Sequence, residues 1–367
     1  MRLTRVALSN LRNYSTLDFE PVAGLNVFVG DNAQGKSNLL EAISLLGTGK
    51  SFRTSKEADL IKTGLEVASI SGEAQMRAGA IRLSCTITNT ARGTRKIYTV
   101  NGESVKYAKF LGSAKVVTFI PSDLQLVSGA PALRRSMLNT ALAQDDPRYY
   151  HNMVRYQKAV TQKNALLRGE VEPDAELIEI YNHALMEAGT ALMLARSLFV
   201  AALDRAAQGV HRGWIAGEEK LALRYAPNVS FEVPTADGIG AAFLARLAER
   251  REAEFARKVS LVGPHRDDVE FILDDASLAA YGSQGQQRTA VLALKVAEYM
   301  VMHERSGEAP LLLLDDVLSE LDPARAHAFM AGVGAYEQAF MTTTSLPDDL
   351  PAAAVYKIHA ATLEACA

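Results

Sequence analysis

Eight consecutive residues, Gly30-Asp31-Asn32-Ala33-Gln34-Gly35-Lys36-Ser37, fit the pattern G-x-x-x-x-G-K-[ST]. Glycines at both ends let the backbone fold so that several N–H groups converge on one anion. Lys36 has the reach for the β- and γ-phosphates of a nucleoside triphosphate, and the Ser37 hydroxyl suits the accompanying Mg²⁺. Lys36 is expected at the loop surface, outside any core packing. Far downstream, the apolar run Leu311–Leu314 ends in Asp315 and Asp316. Asp315 suits a Mg²⁺ ligand, direct or through water, and Asp316 suits the polarisation of an attacking water. A third group is Tyr281-Gly282-Ser283-Gln284-Gly285-Gln286-Gln287-Arg288, just ahead of the helical run Thr289–Met302. Small polar residues before a helix N-terminus make an anion-facing site. Each motif alone has a plainer reading, as a glycine turn, a strand ending in Asp, or a capping Ser. Together, the first two predict binding of a nucleoside triphosphate with Mg²⁺.

These residues need particular elements to hold them. Leu25–Val29 reads as a short buried strand and Asn38–Leu46 as a helix, so the glycine loop sits between strand and helix. The run before Asp315 suits a central parallel strand buried on both faces. Its C-terminal end is where open α/β sheets bind ligands. Other strands are expected at Leu3–Leu8, Val67–Ala74, Ile81–Thr88, Lys96–Val100 and Lys115–Ile120, with a hairpin turn at Asn101-Gly102. From Pro131 to about Val259 the pattern is mainly helical, with a strand-like insert at Leu221–Tyr225. Leu177, Ile180, Tyr181, Ala184, Leu185, Ala188 and Leu192 form the expected packed stripe of a long amphipathic helix. The expected class is therefore α/β with mixed sheets and an inserted, mainly helical lobe. The expected divisions are residues 1–122, 123–258 and 259–367.

Composition narrows the classes. The chain has 367 residues, 48% of them hydrophobic, enough for a large core and two lobes. With 39 Lys and Arg against 42 Asp and Glu, the net charge of −3 gives no global basic signature, so any nucleic-acid contact must be a local patch. Cys85 and Cys366 are too few for a disulfide framework, and the His residues lack metal-site spacing. The N-terminus lacks the apolar core of a signal peptide. The most apolar stretch, Ala191–Leu203, is interrupted by Arg196 and looks too short to cross a bilayer. A cytoplasmic protein without membrane contact is expected.

The Ser283–Gln287 element, about 30 residues before Asp315, is similar in order to the signature of ABC-type ATPases, and Ser319–Asp322 resembles their D-loop. Two departures from transporter-type subunits stand out. Asp316 occupies a position where transporters carry Glu, and Met341–Thr344 stands where a switch His is expected. Both features, with Leu8–Tyr14, Gly47–Thr54, Phe119–Leu124, Gly129–Arg135 and Val262–Asp268, resemble the RecF family of bacterial recombination mediators, related to the SMC heads.

That resemblance implies a DNA repair and replication protein that binds single- and double-stranded DNA and forms a homodimer with ATP. It further implies recombinase loading with other recombination mediators of the pathway, a part in SOS induction, and slow DNA-stimulated ATP hydrolysis used as a switch. It implies that Gly30–Ser37, Arg12, Ser283, Gly285 and Gln286 contact nucleotide, that Ser37 and Asp315 hold the metal, and that Asp316 and Lys36 serve catalysis. Arg12 and Arg53 can equally be loop residues. Arg134-Arg135 reads better as internal ion pairing than as a DNA contact. His265-Arg266-Asp267-Asp268 reads as a hydrogen-bond network joining the lobes rather than a metal site. Gln125 is a candidate Q-loop residue with its register open. A transporter energy subunit, a P-loop kinase and a clamp without hydrolysis are the competing classes.

Overall fold

The computed structural model describes residues 1–169, 174–214, 219–320, 326, 329, 336–346, 350 and 352–366. The chain forms two compact units, the first from residues 1–124, 213–216 and 291–367 and the second from 125–212 and 217–290. Residues 259–290, expected with the C-terminal ATPase part, thus fall in the second unit. The reason is strand pairing, described below.

The first unit carries two six-stranded sheets. One is antiparallel, built from β1 (Arg2–Leu11), β2 (Tyr14–Phe19), β4 (Val67–Met76), β5 (Gly79–Thr90), β6 (Gly93–Val100) and β7 (Glu103–Val105) in the order β2-β1-β4-β5-β6-β7. Alternation drives it: Leu83, Cys85 and Ile87 of β5 point inward while their neighbours face outward. Asn101 and Gly102, both at positive φ, make the β6–β7 turn. The other sheet has the order β15-β14-β3-β13-β12-β8, from β3 (Gly24–Val29), β8 (Val116–Phe119), β12 (Leu311–Asp315), β13 (Gln338–Thr343), β14 (Ala352–His359) and β15 (Thr362–Cys366). Five of its strands, β14, β3, β13, β12 and the edge strand β8, run parallel, and β12 and β13 are buried along their whole lengths. Helix α1 (Lys36–Thr48) shares one core with both sheets through Leu39, Leu40, Ile43 and Leu46, and a one-turn helix, α2 (Tyr107–Phe110), adds Phe110.

The second unit is mainly helical: α3 (Pro131–Asp145), α4 (Pro147–Leu167), α5 (Ala175–Trp214, ending in the first unit), α6 (Ala236–Arg257), the short α7 (Leu278–Tyr281) and the start of α8 (Gln284–Ser306). It also has a sheet of its own. β9 (Leu221–Ala226) pairs antiparallel with β10 (Asp268–Leu273), which pairs with β11 (Ala276–Ser277). The β9–β10 pairing, across more than 40 residues of helix and loop, draws residues 259–290 into this unit. The buried line of α5 is Ile178, Asn182, Leu185, Ala188 and Leu192, so Ile180, expected on that line, is 57% exposed instead. At 40 residues α5 is, by length and composition, long and apolar enough to span a bilayer, contrary to the shorter stretch expected. Half of its most apolar part is buried, and Arg196 within the helix is held in the interior by Asp267 and Tyr149.

Candidate nucleotide site

The parallel sheet brings two distant segments to the same edge. β13 lies between β3, which leads into Gly30, and β12, which ends in Asp315. Leaving β3, Gly30 donates its N–H to the Thr343 carbonyl at 3.4 Å. A Cβ on Gly30 would stand 2.3 Å from the Ile358 carbonyl oxygen of β14, so no larger residue fits. Gly35 has φ 114°, and a Cβ there would meet the Asn13 amide at 2.7 Å.

The loop is braced from two turns. From the β1–β2 turn, Asn13 Nδ2 donates to the Gln34 carbonyl at 3.3 Å and Tyr14 Oη to the Gly35 carbonyl at 3.1 Å. From the β14–β15 turn, Ala361 N donates to the Gln34 carbonyl at 3.1 Å and Ala360 N to Gln34 Oε1 at 2.7 Å. Lys36 is buried rather than standing at the surface, with its ammonium donating to the carbonyls of Gly30 and Asp31. Burial lowers its pKa, while Asp316, Asp31 and Asp315 pull the other way, so the ammonium and both strand-end carboxylates share one neighbourhood.

Asp315 is buried, and Thr342 Oγ1 donates to its Oδ1 at 2.9 Å. The same hydroxyl accepts from Asp316 N at 2.9 Å, and Asp316 itself turns to φ 51°, leaving the strand. Thr342 belongs to the stretch without a switch His; its link to the carboxylates was not read from the sequence. Among the described residues no group of three or more His, Cys, Asp or Glu could hold a metal. Ser37 and Asp315 would supply only two protein ligands, a set that suits Mg²⁺, which takes phosphate and water oxygens for most of its shell.

Arg12 is already engaged. Its guanidinium makes two hydrogen bonds to the buried Glu41 of α1, at 2.8 and 2.7 Å, and one to the Asp59 carbonyl at 2.8 Å. Arg53 donates to Asn38 Oδ1, and Asn38 donates to Asn13 Oδ1 at 2.8 Å, a relay that ends on the loop through Asn13. Leu321 and Asp322 of the expected D-loop lie outside the described residues.

The signature belongs to the second unit. Ser283 is exposed, its Oγ accepts from Gln286 N at 3.2 Å, and Gln286 Oε1 accepts from Ser283 N at 2.8 Å, a reciprocal capping box at the start of α8 beside Gly285. Arg134 grips Asp268 through two bonds of 2.6 and 2.8 Å and reaches the carbonyls of Leu126 and Gly129. Arg135 donates to the Asp267 carbonyl. Asp267 accepts from Arg196 at 2.9 Å and from Tyr225, and His265 Nδ1 meets Tyr156 Oη at 2.6 Å. This network, expected between lobes, ties helices to the small sheet within the second unit. Gln125 opens that unit at its boundary with Leu124.

The family model for the RecF/RecN/SMC N-terminal domain matches residues 2–359. A DNA replication and repair protein RecF of Geobacillus thermodenitrificans is 37% identical over 375 residues, covering 100% of both chains. The chain belongs to the RecF family. A second RecF, from Symbiobacterium thermophilum, is 43% identical over 354 residues, covering 95% of this chain and 92% of its own. A solved structure described as the recombination mediator protein RecF with ATP, in the RecFOR pathway, superposes with a TM-score of 0.91 at 31% identity, over 100% of this chain and 98% of that one. The fold is thus the RecF and SMC type of ABC ATPase head with a helical insertion.

Proposed function

We propose that this chain is an ATP-switched DNA-binding protein of replication and recombinational repair. The supporting observation is the shared edge on which Gly30–Ser37, Lys36, Asp315 and Asp316 meet. The backbone N–H groups and Lys36 take the triphosphate, Ser37 and Asp315 take Mg²⁺, and Asp316 orients the hydrolytic water. Ser283, Gly285 and Gln286 present an exposed helix start that takes the γ-phosphate held by a second copy, so ATP closes a homodimer and hydrolysis opens it. Arg12 braces α1 through Glu41 and so supports the loop from behind.

DNA binding draws support from charge placement. Residues 50–115 hold twelve Lys and Arg against five Asp and Glu, while the whole chain is acidic. Arg92, Arg95, Lys106 and Lys109 of this segment are exposed on or beside β6 and β7. Such a surface binds phosphate backbones of single- or double-stranded DNA without reading sequence. The relatives' names, a DNA replication and repair protein and a recombination mediator of the RecFOR pathway, support recombination mediators as partners. Recombinase loading, damage signalling and a cytoplasmic place of work are carried over from the family resemblance.

Sedimentation with and without ATP tests the switch. Monomer should become dimer with ATP, and Ser283→Arg should remove dimer and hydrolysis while ATP binding persists. A nucleotide-independent dimer indifferent to Ser283→Arg rejects this reading.

A further inference from the structure

Gln286 is held at both ends of its amide. Oε1 accepts from Ser283 N at 2.8 Å and Nε2 donates to Glu219 Oε1 at 2.9 Å. Glu219 lies just ahead of β9, outside every motif read from the sequence, and the neighbouring backbone is fixed by Lys220 N donating to Asp274 Oδ1 at 2.9 Å and Asp274 N to the Lys220 carbonyl at 3.2 Å. A carboxylate only accepts hydrogen bonds, so it selects the amide orientation with Nε2 toward it. The oxygen must then face the Ser283 N–H. This closes the capping box and commits Ser283 Oγ as acceptor of Gln286 N at 3.2 Å. The hydroxyl hydrogen of the exposed Ser283 is left to point outward as a donor.

We infer that Glu219 is a positioning residue for the signature: by fixing the Gln286 amide it keeps Ser283 and the α8 N-terminus as an outward donor set for a terminal phosphate. The inference rests on the proposed ATP-closed dimer. A donor at position 219 selects the flipped amide, which sets Nε2 against the Ser283 N–H and opens the box. An amide at 219 still offers an acceptor oxygen and keeps it closed.

The experiment compares Glu219→Lys, Glu219→Ala and Glu219→Gln with the parent by sedimentation equilibrium with ATP, by steady-state ATP hydrolysis, and by ATP affinity measured at protein concentrations where the parent is monomeric. Glu219→Lys should weaken dimer association and slow hydrolysis by about tenfold or more, Glu219→Ala less, and Glu219→Gln should retain association within about threefold. Monomer ATP affinity should be equal in all four. Parent-like dimerisation of Glu219→Lys overturns the inference while leaving the dimer reading intact. Equal losses in all three variants also overturn it, because packing rather than acceptor chemistry would then set the effect. If the parent itself fails to dimerise with ATP, or Ser283→Arg dimerises normally, the underlying reading falls and this inference with it.

Discussion

Thr342 and Asp315 are joined by a 2.9 Å hydrogen bond across neighbouring parallel strands, and the same hydroxyl receives the Asp316 N–H. One side chain therefore sets the orientation of the Asp315 carboxylate, proposed to hold the metal, and the path of the chain into Asp316, proposed to orient the water. Thr342→Val keeps the shape and removes both bonds, leaving a buried carboxylate oxygen and a backbone N–H without this partner. We expect a stability loss of about 1–2 kcal/mol and a larger fall in ATP hydrolysis than in ATP affinity. Thr342→Ser should restore most of both. Thermal unfolding with parallel turnover assays decides it.

Lys36 donates to two loop carbonyls and lies among three carboxylates. Lys36→Met removes the cation proposed to face the β- and γ-phosphates. ATP affinity should fall about 10- to 100-fold, read by titration of a fluorescent ATP analogue. Because Lys36 is buried, a modest drop in melting temperature should accompany the loss. Unchanged affinity would remove this residue from the site.

Asp316→Asn separates binding from turnover. With Asp315, Thr342 and the loop intact, ATP should bind while hydrolysis falls about 100-fold or more, so that an ATP-bound dimer accumulates. Asp315→Asn should instead weaken the Mg²⁺ dependence of binding. If the two phenotypes exchange, so do the two roles.

The basic segment predicts a salt signature. Binding of labelled duplex should weaken linearly on a log–log plot against salt concentration, and each of Arg95→Glu, Lys106→Glu and Lys109→Glu should reduce the slope by about 1 if that cation sits on a phosphate. ATP should tighten binding, since a dimer links two weak sites. DNA binding unaffected by all three changes would move the contact surface elsewhere on the chain.

His265 gives a pH dependence. Burial holds its imidazole down to about 4, with Ser260 and Asp267 favouring the charged form and Arg266 and Arg135 opposing it. Below pH 6.5 the unfolded chain takes up a proton that the folded one refuses until about pH 4. Stability should therefore fall as pH drops through that window, by roughly 3 kcal/mol from this residue. His211, also buried with a lowered pKa, adds slope of the same sign. His265→Gln should flatten part of the fall in melts recorded between pH 7 and pH 4.5, at some cost at neutral pH from losing the Tyr156 contact.

The phosphate loop and carboxylate strand were legible because their chemistry is contiguous: glycines, Lys36 and Ser37 within eight residues, and Asp315-Asp316 directly after four leucines. The contacts that brace these residues, and the Ser283–Gln286 element of the second unit, are not contiguous. Thr342 to Asp315, Arg12 to Glu41 and Glu219 to Gln286 join residues separated by 27, 29 and 67 positions. Such pairs leave no periodic trace. Ile180 was misplaced because the helix buries the line through Ile178, and an apolar count alone does not fix the rotation of a helix. The extent of the second unit escaped for a similar reason. Its boundary follows from the pairing of β9 with β10, a long-range match that composition does not reveal.

The position of β3 also governs when the nucleotide site first exists during synthesis. Among the described residues its two sheet neighbours are β13 and β14, and Gly24 pairs with Gln338. Residues 24–37 therefore leave the ribosome long before either flanking strand has been made. The loop waits through the translation of more than 300 residues, with β3 unpaired and apolar, before the parallel ladder can close around it. Closing so long an interval is slow and exposes a sticky strand meanwhile, which makes the nascent chain a candidate client for chaperones. Competence to bind ATP should appear abruptly, only after the segment through Thr343 has cleared the exit tunnel.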